Sequence, residues 1–129
     1  MVRHILGAIA GTLIGGVLIG LVETIGHQLF PTAPIDDLTE FANVMALMPL
    51  EAKVWVLLAW GVGIFGGGLV ALLISKTQTW PAWAVATLLF GGAVWTMFQF
   101  PHPPWMIVGC VVVTLSAALG AIRIMGPKA

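Results

Sequence analysis

Glu23 and His27 are the two side chains whose type and spacing most readily suggest chemistry. Both fall inside ILGAIAGTLIGGVLIGLVETIGHQLF, Ile5 to Phe30, a run that is otherwise almost wholly apolar. Four residues apart on a helix, they are neighbours on one face. A carboxyl in an apolar segment can be protonated, salt-bridged or bound to a cation. The imidazole one turn further on can accept its proton, donate a hydrogen bond to it or share a metal. One expectation is therefore a proton- or cation-responsive site. The plainer one is that the two groups satisfy each other and a nearby backbone, pinning helices together. His102 and Gln99 are weaker candidates for the same site, because both fall at the same end of the helices as His27.

Metal binding would need more ligands than an i, i+4 pair supplies. Met45, Met48, Met97 and Met106 fall on that side too, and thioethers with imidazole would favour Cu(I). In so apolar a chain these methionines also read as packing, and whether any metal binds stays open. No phosphate loop, Ser/His/Asp set, CxxCH or HExxH occurs. The chain is therefore not expected to be an enzyme, and no cofactor is implied. Cys110, the single cysteine, lies in an apolar run and reads as a packed thiol.

The elements that must position Glu23 and His27 follow from composition. Of 129 residues, 60% are hydrophobic and 8% are charged. A soluble domain has about a quarter of its residues charged, so this chain could not cover a surface in water. It reads as an integral membrane protein, all-α, with one transmembrane domain over 1–129. Four helices are expected at about 5–30, 50–74, 81–100 and 104–125, joined by an external loop at 31–49. The first run far exceeds the apolar core of a secretory signal and reads as a retained span. Asp37-Leu38-Thr39-Glu40 has capping-box spacing, and apolar residues then recur at three- or four-residue steps. A short amphipathic helix is expected there, about Leu38 to Met48.

Five basic and five acidic residues balance, which leaves no basic patch for nucleic acid. Arg3, Lys76, Arg123 and Lys128 fall on one side of the four spans and Lys53 on the other, so both termini are expected in the cytoplasm. Glycines form a ladder on helix one. Gly7, Gly11, Gly15 and Gly26 share one side, while Thr12, Gly16, Gly20, Glu23 and His27 share a stripe on another. Small residues let membrane helices approach closely. Helix one is thus expected to be the central helix, with its polar stripe against protein and Leu6, Leu13, Val17 and Leu21 toward lipid. His4 reads as a solvated residue at the membrane surface.

The segments GHQLFPTAP, GVGIFGGGLVA and PHPPWM together resemble a set of small four-helix bacterial membrane proteins of about this length. The resemblance implies the four-helix fold and no activity, and the apolar spans with their charge bias lead to an expected location in a bacterial inner membrane. Small multidrug transporters place their membrane glutamate early in helix one, whereas Glu23 comes late. The Phe/Thr/Ser-rich pore motif of dual-topology fluoride channels is missing. Two functions remain in view: an oligomeric proton- or cation-linked transporter or channel, and a non-catalytic accessory subunit of a larger membrane complex. The expected partners are the bilayer and either further copies of the chain or that larger complex.

Overall fold

The computed structural model describes residues 2–29, 50–99 and 104–126, without the side chains of His27 and Gln99. The amphipathic helix expected over 38–48, and His102 with it, lie outside these residues. Four α-helices account for nearly all of what is described: α1 Val2–Leu29, α2 Leu50–Ser75, α3 Trp80–Gln99 and α4 Pro104–Met125. All four are long and apolar enough to cross a membrane.

Local chemistry sets the ends. Glu51 stands in the first turn of α2, where a negative charge meets the positive end of the helix dipole. Lys76 adopts a left-handed φ of 65°, and its N–H donates to the Leu72 carbonyl at 2.8 Å, which closes the C-terminus of α2. Thr79 precedes α3 and Pro81 lies in its first turn, where a missing N–H costs nothing. Arg123 occupies the last turn of α4.

The central helix is α2, not α1. Half of the α2 span is buried, against 22% of the α1 span. Among the described elements α2 touches all three others, while α1 touches α2 and α3 but not α4. The physical reason lies in the distribution of small residues. The glycines of α2 face every neighbour: Gly63 and Gly67 meet α1, Gly61 meets Val113 of α4, and Gly68 meets Ala121 of α4 and Ala82 of α3. Helix α1 presents only one of its two small sides to the bundle.

Three apolar layers stack along α2. Leu57 and Trp60 pack with Ala93 and Cys110 near one end. Ile64 packs with Ala86 and Ala118 in the middle. Leu72 packs with Ala82 and Ala121 toward the other end. Leu6, Leu13, Val17 and Leu21, expected on the lipid side of α1, are all more than half exposed.

Candidate functional site

The position of Glu23 depends on how α1 is held against α2, and that contact is built on glycine. The two helices run antiparallel, pairing Gly7 with Ala71, Gly11 with Gly67 and Gly15 with Gly63. At each step the backbones nearly touch. A Cβ on Gly15 would stand 2.7 Å from the Gly63 carbonyl oxygen, and a Cβ on Gly7 would stand 2.7 Å from that of Ala71. Any side chain larger than hydrogen at these positions would push the helices apart. The same side of α1 also meets α3, with Gly11 against Val85 and Gly15 against Leu89.

Polar contacts stand at both ends of this seam. At one end His4 Nδ1 lies 2.6 Å from Ser75 Oγ, and Ser75 is fully buried. Ser75 Oγ also reaches the Gln78 carbonyl at 3.4 Å, and the Trp80 ring packs edge-on to the imidazole. His4 is thus half-buried and bonded, not solvated as its place near the chain start suggested. The cause is that α1 begins at Val2, earlier than Ile5, which carries His4 onto the face shared by Gly7 and Gly11. At the other end the Trp55 indole N–H donates to the Val22 carbonyl at 2.7 Å. The indole stands where a side chain on Gly26 would be, since a Cβ there would lie 2.6 Å from Nε1.

Glu23 sits on the turn that Trp55 holds, and it is half-buried on the flank of α1. It is engaged by a neighbour and is not a solitary carboxylate. His27 follows one turn later on the same helix; its side chain, that of Gln99 and the whole of His102 lie outside the description. The stripe below Glu23 is open. Gly16 and Gly20 are exposed, and a Cβ on either would meet nothing within 4 Å. Among the described residues the two small sides of α1 therefore differ: Gly7, Gly11 and Gly15 are packed, and Gly16 and Gly20 are not. Hydroxyls along this face are satisfied inside their own helices. Thr12 donates to the Ala8 carbonyl and Thr24 to the Gly20 carbonyl, each at 2.8 Å, and Thr96 of α3 donates to the Gly92 carbonyl at 3.0 Å. Such internal bonding is what an apolar surrounding demands of a hydroxyl.

Met45 and Met48 lie outside the described residues, and the sulfur groups of α3 and α4 named in the sequence pack. Met106 and Cys110 are buried in α4, and Met97 lies against the Leu57–Trp60 layer. Among the described residues no three His, Cys, Asp or Glu side chains gather as metal ligands. A groove of about 190 Å³ runs between α3 and α4, lined by Trp83, Phe90, Thr114 and Leu115 among others, and no ionisable side chain borders it. Thr114 Oγ1 is buried there, beside the Cys110 thiol one turn earlier on α4.

No protein-family model, curated protein or solved structure matches the chain.

Proposed function

We propose that this chain is a multi-pass protein of a bacterial inner membrane, with both termini in the cytoplasm. It works as an oligomer and passes or senses protons or cations at the Glu23/His27 turn. The observation that carries this reading is a half-buried carboxylate in an apolar span, set in line with two glycines that the described chain leaves uncovered. A carboxylate at the centre of a bilayer costs roughly 2.5–3.5 kcal/mol on insertion scales, and less nearer the surface. Small residues invite a second helix to approach closely. A second copy placed over Gly16 and Gly20 would shield the stripe from lipid and bring two Glu23 turns toward one shared path. Four helices of this length enclose little volume, so a path between copies suits the chain better than one through it.

The open face would equally take a helix of a different membrane protein, which is the accessory-subunit reading. Purification in a mild detergent separates the two. A defined homo-oligomer supports the first reading, and a stoichiometric foreign partner supports the second. Flux in proteoliposomes then tests the site. Glu23→Gln keeps shape and hydrogen bonding but removes the charge, so it is expected to assemble normally and lose pH-dependent proton or cation flux. Curves that superimpose on the wild type would remove the site and leave the accessory reading.

A further inference from the structure

The Trp55–Val22 hydrogen bond does more than join two helices. It crosses from α2 to α1 through the gap at Gly26, and Val22, Glu23, Gly26 and His27 belong to two successive turns of α1. A helical carbonyl keeps a second lone pair beside the one that serves the backbone. Val22 can therefore accept the indole while α1 continues unbroken to Leu29. Glu23 itself is engaged by a neighbour, and the packing contacts on this half of α1 are Leu18 on Gly66 and Ile19 on Gly63. Those packing contacts are apolar, and apolar contact has no preferred direction. The indole bond is directional and fixes one azimuth of the turn. Glu23 follows Val22 by one residue, about 100° round the axis. Holding Val22 therefore holds the carboxylate on its flank, between the bundle and the open glycine stripe.

We propose that Trp55 is the positioning residue of the Glu23 turn, with Gly26 as the gap that admits it. The proposal rests on reading Glu23 and His27 as the site, and its test is arranged so that the two can fail separately. Trp55→Phe keeps the ring against α1 and removes the N–H. Gly26→Ala displaces the indole from the other side. Each is combined with Glu23→Cys in a Cys110→Ala background, and the rate of modification by a small, membrane-permeant thiosulfonate is measured. Leu13→Cys, on the exposed side of the lower half of α1, serves as the control.

Either change is expected to alter the rate at position 23 by about fivefold, as loss of one net hydrogen bond allows, while the rate at position 13 stays constant. An unaltered rate at position 23 overturns the proposal, as does an equal change at both positions, which would mark Trp55 as a general packing residue. In chains that retain Glu23, Trp55→Phe is expected to move the pH midpoint of flux. A fixed midpoint, in a protein whose flux does depend on Glu23, also overturns it. If Glu23→Gln leaves flux unchanged, the site reading fails and the labelling rates still decide the role of Trp55.

Discussion

His4, bonded to Ser75, and Lys76, which follows Ser75 in the chain, show how single residues settle the ends of helices. The imidazole is bonded to a hydroxyl that water does not reach. Ser75→Ala would strand the His4 nitrogen in a half-buried place and is expected to cost ~1–2 kcal/mol, measurable as a lower thermal midpoint in detergent. Lys76 holds a left-handed backbone that a side chain resists by ~1–2 kcal/mol. Lys76→Gly is therefore expected to raise the midpoint in the same assay, since glycine adopts that conformation freely. Only part of this was legible in the sequence. In the sequence His4 stands before the expected helix start at Ile5 and reads as solvated; the start at Val2 is what sets it on the face of Gly7 and Gly11. Its partner, Ser75, is distant in the chain, and no local pattern announces a contact across that separation. The Trp55 bond was hidden in the same way: Gly26 could be placed on the packed side, but not the indole that fills its space.

At the scale of the helices, the two small sides of α1 lead to opposite expectations. Gly11→Leu would drive a side chain into the Gly67 carbonyl, Val85 and Ala71. It is expected to destabilise the single chain by several kcal/mol, beyond the ~1–3 kcal/mol typical of overpacking, because backbone on the far side cannot yield. Gly16→Leu meets open space and is expected to leave monomer stability within ~0.5 kcal/mol while weakening assembly. Thermal denaturation paired with light scattering reads both effects. Equal loss of monomer stability in the two variants would contradict the geometry, and unaltered assembly in Gly16→Leu would remove the proposed interface. The ends of α2 and α3 follow from Glu51, Thr79 and Pro81, whose chemistry is local. The choice of central helix was not. Both α1 and α2 are long, apolar and rich in glycine, and only the pairing in space reveals that α2 faces neighbours on every side.

For the molecule as a whole, the distribution of charge predicts a single orientation. Arg3 and Lys76 come together at the His4–Ser75 end, and Arg123 closes α4 beside the Leu72–Ala121 layer at that same end. Lys53 stands at the opposite end, in the first turns of α2. Reporter fusions at both termini are expected to give cytoplasmic signals, and a fusion at Asn43 an external one. An external C-terminus would invert the scheme and turn the Glu23 turn toward the cytoplasm. The number of spans and their charge bias come from composition and could be read without coordinates. Under the proposed function a second copy completes the Glu23 turn, and a site shared in that way would leave no sequence signal beyond an uncovered face.

The even pairing of α1 with α2 also has a consequence for alignment. Small residues recur every four positions on both helices, so sliding one helix by a turn, about 6 Å, would still match glycine with glycine at two of the three steps in one direction and at one in the other, with Ala or Ser at the rest. The ladder alone therefore permits several alignments of nearly equal quality. His4–Ser75 and Trp55–Val22 are stops at the two ends of this track, and a slide in either direction breaks both. Removing the two together, as Ser75→Ala with Trp55→Phe, should free the helices to shift by whole turns. A fold closed by interchangeable contacts would then be held in place by two polar ones.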